Sequence, residues 1–271
     1  MMPDSPFTDS LSAEDLFVHN PGPYDCSKPV YTKGLLSRPV IREYLEKGYV
    51  TIDPFEEENL GTNSYDIRLG KWFYRERSSS TLPTVHWPTK SPTVLYNMYQ
   101  KSHVEKIYEK CEAQPASSTL YSWFDSKDLE GISPDDLVFL IKPGESVLAH
   151  TEEFIGSSCD FVTCTMAARS TIGRNALEVT RCSGVGDIHY CNRWTLELTN
   201  NLQYHTIPLV AGRRVGQVLF YDVVPLDKDD PDYVSKGKYQ TSRDLEELKR
   251  TWKPEDMLPK AYLDREINSK K

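Results

Sequence analysis

The sequence predicts a mainly β fold, a barrel or sandwich of short strands with one short helix ahead of it and one inserted segment. Three observations carry this. Short apolar or alternating runs recur at near-regular spacing, divided by Gly and Pro turns. One stretch alone has a convincing helical face, and nothing alternates strand with helix as parallel βαβ units do. A chain of 271 residues with 38% hydrophobic content can bury a full core and is short enough for one main domain with extras.

Taken in order, residues 1–33 are rich in Pro, Ser and Asp without sustained period, and read as an N-terminal extension. The main domain is expected over residues 34–243. Ser37 can cap a helix with Pro39 in its first turn, Val40, Ile41, Tyr44 and Leu45 on one face, and Gly48 as its stop. Residues 49–52 read as a strand. In residues 64–70, Tyr65, Ile67 and Leu69 alternate with Ser64, Asp66 and Arg68, the pattern of a half-buried strand. Residues 77–134 are rich in Ser, Thr, Pro, aromatics and Lys/Glu, too long for a tight connection, and are read as an insertion with one helix over 104–111. Strands resume at 137–141, 146–150, 161–166, 194–198, 206–210 and 215–224. Residues 244–271 read as a helical, charged C-terminal extension.

Composition narrows the function. A net charge of −8 and a pI near 5.4 argue against a general nucleic-acid binder, so any anionic partner must meet a local basic pocket. No apolar run has the roughly 18 residues a membrane span needs, and the N-terminus lacks the pattern of a signal peptide, so a cytoplasmic protein is expected. The six cysteines show no C-x-x-C spacing, which favours reduced thiols over zinc.

Chemistry concentrates between residues 168 and 200. Arg169 and Arg174 flank Ser170 and Thr171; guanidinium forks suit phosphate or carboxylate, and the hydroxyls can hold a phosphate oxygen or a water. In Trp194-Thr195-Leu196-Glu197-Leu198, alternation sets Glu197 on the face of Thr195 and Thr199, opposite the three apolar residues. On a one-sided sheet that is a solvent-facing glutamate; in a barrel mouth or subunit seam beside an arginine it is a proton shuttle. Asp187, on the preceding turn, is a second carboxylate. Lys238, Tyr239 and Gln240 follow Gly237 beyond the last strand, either as a solvated tail or as a fold over phosphate.

These residues carry a resemblance to the dCTP deaminases, the deaminase branch of the dUTPase superfamily. It rests on Leu36-Ser37-Arg38-Pro39-Val40-Ile41-Arg42, Ser64-Tyr65-Asp66-Ile67-Arg68-Leu69-Gly70, Lys142-Pro143-Gly144-Glu145, Arg169-Ser170-Thr171-Ile172-Gly173-Arg174, Leu196-Glu197-Leu198, Ala211-Gly212-Arg213-Arg214-Val215-Gly216-Gln217 and Gly237-Lys238-Tyr239-Gln240, in that order. The resemblance implies a distorted β-barrel of the dUTPase-like type, assembled as a homotrimer with active sites at subunit interfaces. It implies that Glu197 takes a proton from water, passes it to N3 of cytosine and helps ammonia leave from C4. Ser170 and Arg174 would place the water and hold that glutamate, Arg169 would contact phosphate, and Lys238, Tyr239 and Gln240 would form a lid over the triphosphate. Thr171, Ser183, Tyr190 and Gln217 complete the implied substrate-binding set. Magnesium would arrive with the triphosphate rather than activate water.

A metal-free mechanism is also expected on separate grounds. His103-Val104-Glu105 and His150-Thr151-Glu152 satisfy the H-x-E half of the zinc-deaminase signature, but no P-C-x-x-C accompanies them. The sequence departs from the family pattern at Cys182-Ser183, at Asp187-Ile188-His189-Tyr190, and at Asn192, which stands where glycine is usual and tolerates positive φ. Gly184-Val185-Gly186-Asp187 resembles the form seen in bifunctional deaminases that carry dCTP through to dUMP, with Asp187 activating a water against the α-phosphate. Two other readings stand beside this one: a dUTP pyrophosphatase without deamination, and a non-catalytic regulator that binds dCTP or dUTP and meets a partner through the insertion. Neither nucleic acid nor membrane is expected as a partner.

Overall fold

Strands form here where apolar and polar residues alternate, because successive side chains point to opposite faces and one face can close on a core. The computed structural model describes residues 34–77, 84–85, 93–181, 183–227, 229–231, 233–240 and 242–268. The expected N-terminal extension, Cys26 within it, and Cys182 lie outside the described residues.

Helix α1 (Arg38–Glu46) carries Pro39 in its first turn, buries Ile41 and Tyr44, and stops at Gly48, whose φ of 70° suits glycine. Ser37 holds the N-cap position, but its hydroxyl makes no capping bond; its carbonyl receives the Ile41 amide. Strands β1 (Val50–Asp53), β2 (Tyr65–Arg68) and β3 (Trp72–Glu76) follow, then the short pair β4 (Thr84–Val85) and β5 (Thr93–Val94). The helix expected over 104–111 is instead α2 (Lys101–Ile107) running directly into β6 (Tyr108–Glu112). Residues from Tyr108 onward pair with β3, from Glu76↔Tyr108 to Trp72↔Glu112, so sheet pairing overrides local helical preference. The insertion thus supplies an edge strand of the main sheet.

After β7 (Gln114–Pro115) come β8 (Leu137–Ile141), β9 (Ser146–Ser157), β10 (Val162–Ala168), α3 (Ser170–Arg174), β11 (Leu177–Glu178), β12 (Val185–Gly186), β13 (Cys191–Asn200), β14 (Ile207–Val210) and β15 (Arg214–Asp222). Every described pairing is antiparallel. The main sheet runs β11-β13-β9-β3-β6 with β1 also on β9; a second runs β12-β10-β15-β2; a third runs β14-β8-β7. They wrap one core that includes Tyr65, Ile67, Ile155, Leu196, Leu198, Val218 and Phe220. A lone bridge between Leu69 and Thr151 ties the second sheet to the main one, but the sheets do not close into a continuous ring, so the expected barrel is a wrapped set of sheets.

Strand β9 runs past the expected 146–150 because its second half pairs with β1 and β13, and that half buries a charge. Glu153 is fully buried, accepting from the Arg68 side chain at 2.8 Å and the Arg68 amide at 3.0 Å. At the C-terminus, α4 (Tyr233–Lys236), α5 (Leu245–Thr251) and α6 (Arg265–Asn268) follow the last strand. Asp244 caps α5 through the Glu247 amide, and its first turn is acidic and its last basic, as the helix dipole favours. This arm is bound to the sheets by Lys249 with Asp53 at 2.9 Å, Lys110 with Glu255 at 2.9 Å, and buried Leu248 and Met257. Among the described residues no helix is long and apolar enough to cross a membrane.

Candidate active site

Strand β13 turns Trp194, Leu196 and Leu198 into the core, which leaves Arg193, Thr195 and Glu197 to line a cavity of about 510 Å³. The same cavity is lined by Ser183, Asp187 and Tyr190 from the loop before β13, by Tyr108 from the insertion, and by Trp252, Asp256, Met257 and Pro259 from the C-terminal arm. This size suits a small-molecule site.

Glu197 is one of the carboxylates that line the cavity. Burial pushes its pKa up, and hydrogen bonding from Ser183 and the charge of Arg181 pull against that shift. Ser183 Oγ lies 2.6 Å from Glu197 Oε2 and 2.7 Å from the Thr180 carbonyl oxygen. A hydroxyl has one proton to give. It donates to Glu197 when the carboxylate is ionised; when Glu197 is protonated the acid can donate to Ser183, which then donates to Thr180. The bridge therefore serves both protonation states, as a group that takes and returns a proton requires.

The loop that presents Ser183 and Asp187 depends on its glycines. A Cβ at Gly184 would overlap the Met166 carbonyl oxygen, and one at Gly186 would overlap the Trp194 ring and Cys164 Sγ. The backbone can therefore lie flat on β10, where Gly184 O accepts from the Met166 amide at 2.7 Å. Positive φ falls at Arg181 (37°) and His189 (65°) rather than at Asn192, which corrects the expectation for that residue. Asn192 is inside β13 and donates from Nδ2 to the Tyr239 carbonyl at 2.8 Å. His189 is held by its Nε2 contact with Asp160 Oδ1 at 2.6 Å. Tyr190 packs edge-on against Trp194 and Tyr233, and burial pushes its phenol well above the usual range.

The other predicted residues lie elsewhere in the single chain. Ser170, Thr171 and Arg174 are exposed on α3, which buries no side chain, and none lines the cavity. Arg169 pairs with Asp66 at 3.1 Å, and Arg214 shares the same carboxylate oxygen. Gln217 stands opposite Asp66 and Ala167 in the second sheet and accepts from Ser64 Oγ at 3.3 Å. These five form a group of their own at the α3 end of that sheet.

The segment expected as a lid is folded onto the site. Tyr239 lines the cavity, and its hydroxyl accepts from the Lys260 amide at 3.1 Å. Lys238 lines a neighbouring hollow of about 650 Å³, which shares Asp187, Tyr233 and Tyr239 with the cavity, and it pairs with Asp264. Gln240 is 2% exposed; its Oε1 accepts from the Cys191 amide and its Nε2 donates to the His189 and Ser242 carbonyls, which anchors the segment. Arg181, Arg193, Tyr108 and Trp252 were missed from sequence. Their only signal was residue type, since the turn, the bulge and the returning arm that place them are tertiary features.

The dCTP deaminase-like family description matches residues 35–223. The chain is 30% identical over 212 residues to "dCTP deaminase, dUMP-forming" of Methanopyrus kandleri, covering 76% of this chain and 90% of that protein. It is 26% identical over 215 residues to the protein of the same name from Methanospirillum hungatei, covering 78% and 96%. Among solved structures it is similar to a 2'-deoxycytidine 5'-triphosphate deaminase from Agrobacterium tumefaciens, with a TM-score of 0.45 and 15% identity over 70% of this chain and 49% of that one. A match that takes in most of the sheet framework and reaches through β15, together with a relative covered almost end to end, decides the family: the chain belongs to the dCTP deaminase-like family.

Proposed function

We propose that the protein hydrolyses dCTP to dUTP and ammonia, and carries dUTP on to dUMP and diphosphate. The observation that carries this reading is the cavity itself. A glutamate with a raised pKa and a hydroxyl relay shares one hollow with a second carboxylate, Asp187. The relatives whose names specify dUMP formation support the second step.

In this reading, ionised Glu197 accepts a proton from water as its oxygen attacks C4 of cytosine. Glu197 returns the proton to N3, and the amino group leaves as ammonia with the remaining water proton, so dCTP and water give dUTP and ammonia. Asp187 then takes a proton from a second water, whose oxygen attacks the α-phosphate and displaces diphosphate. Magnesium enters bound to the triphosphate, as part of the substrate, and the deamination uses side-chain proton transfer alone.

This reading also includes a homotrimer. Ser170, Thr171, Arg174 and Arg169 do not line the cavity of their own chain; in the trimer, α3 of one copy would bring them to the Glu197 of the next, with Gln217 beside them. Tyr190 packs against the base, Ser183 holds the glutamate, and Tyr239 closes the cavity. As dCTP is an intracellular metabolite, this reading places the enzyme in the cytoplasm.

The test is a time course with dCTP and magnesium, resolving dCTP, dUTP, dUMP and dCMP by ion exchange. The expected product is dUMP with little free dUTP. Accumulating dUTP would remove the second step, and unchanged dCTP would overturn the reading. In that case dUMP from added dUTP would leave a pyrophosphatase, and no product from either would leave a nucleotide-binding protein.

A further inference from the structure

Among the described residues two arginines line the cavity, and one of them stands near Glu197. Arg181 is within electrostatic range of that carboxylate. Arg193 is four residues away along β13, which at ~3.3 Å per residue is about 13 Å of strand. It is aimed by an irregularity: the β13–β9 register shifts between Arg193 and Thr195, and the Trp194 amide that the shift frees donates to Thr151 Oγ1 at 2.9 Å. Bulges of this kind re-aim a side chain.

The guanidinium carbon lies over two rings, 5.0 Å from the Phe154 centroid and 4.8 Å from that of Trp252. Such cation–π contacts restrict where a guanidinium can sit without using its hydrogen-bond donors. Among the described residues no carboxylate pairs with Arg193, and its Nε is buried without an acceptor. The charges in electrostatic range are Glu152, Glu153 and Asp53. Two of these are already engaged, Glu153 by Arg68 at 2.8 Å and Asp53 by Lys249 at 2.9 Å. The imidazole behind Trp252, His150 at 4.7 Å, is kept neutral because burial lowers its pKa to about 4. An unpaired, desolvated arginine on a cavity wall costs stability unless something anionic completes it.

We propose that Arg193 is a phosphate-binding residue of this cavity, taking phosphate oxygens of the nucleotide whose base sits against Glu197, with Trp252 and Phe154 positioning its guanidinium. The inference rests on reading the cavity as a nucleotide site, and the strand length between Glu197 and Arg193 is of the order of a nucleotide's reach from base to phosphates. It also gives the C-terminal arm a task. Trp252 lies beyond residues 35–223, so one of the two rings comes from a segment outside the family match. Lys238, expected in the lid over the triphosphate, is paired with Asp264 beside the neighbouring hollow.

The experiment is calorimetric titration of full-length Glu197→Gln protein, which the proposed function expects to hold substrate without turnover, with and without Arg193→Gln. The probes are dCTP, deoxycytidine and inorganic tripolyphosphate. Arg193→Gln is expected to weaken dCTP and tripolyphosphate by about 10–100-fold, the loss of one charge-assisted contact set, and to leave deoxycytidine unchanged. Trp252→Ala should give a smaller loss with the same pattern, and Trp252→Phe should restore it; both keep the test alive if Arg193→Gln does not fold. Undiminished affinity for dCTP and tripolyphosphate, or equal losses for all three probes, would overturn the proposal. Arg193-dependent binding of tripolyphosphate in a protein that does not turn over dCTP would uphold the phosphate site and remove the deaminase reading alone.

Discussion

At the scale of single residues, the proposed chemistry turns on how β13 and its preceding loop share one proton relay. Because burial raises the pKa of Glu197, the ionised form that the proposed mechanism needs as its base is populated at higher pH than for an ordinary carboxylate of pKa ~4.3. The kcat/KM profile for dCTP is therefore expected to rise with pH on a limb centred above that value. Ser183 donates to the carboxylate and pulls its pKa down, so Ser183→Ala should move the limb further upward; a limb that stays in place would show that the hydroxyl does not couple to the base. Asp187→Asn should keep ammonia release while the second step slows by roughly 10²–10⁴-fold, visible as accumulating dUTP. If dUMP still forms at the parental rate, Asp187 has no part in it. Glu197 was legible as a residue because alternation alone sets its face. Its relay was not, since Ser183 reaches it only through the turn with Arg181 at positive φ.

At the scale of elements, the glycine loop and the buried pair in β9 make the framework. Gly184→Ala must move the Met166 carbonyl or the loop, and is expected to cost about 1–3 kcal/mol in chemical denaturation, as overpacking does. Glu153→Gln leaves the Arg68 guanidinium without its buried partner and should cost about 3–5 kcal/mol; a change below 1 kcal/mol would mean that water replaces the carboxylate. Strands with clean alternation, such as β2 and β13, were legible because period two is a local signal. The far half of β9 was not, because Thr151-Glu152-Glu153 reads as polar until Arg68 is placed against it. Strand β6 was not legible either, since only pairing with β3 extends Tyr108 onward. The C-terminal arm reads as a charged helix in sequence; that it returns to line the cavity follows from contacts such as Lys249 with Asp53 and Lys260 over the Tyr239 ring.

At the scale of the whole molecule, the site residues divide into the group around Glu197 and the exposed group on α3. A homotrimer that joins them has a specific consequence. Glu197→Gln and Arg174→Ala chains, each inactive alone, should regain part of the activity when mixed and reassembled, since some interfaces then combine an intact Glu197 with an intact Arg174. The measurement that tests the central claim most directly is ammonia release from dCTP by the parent protein and by Glu197→Gln, side by side, with dCTP binding measured on both. The parent is expected to release ammonia, and the variant to bind dCTP while its release falls by at least about 100-fold. Release by the variant at the parental rate would contradict the account.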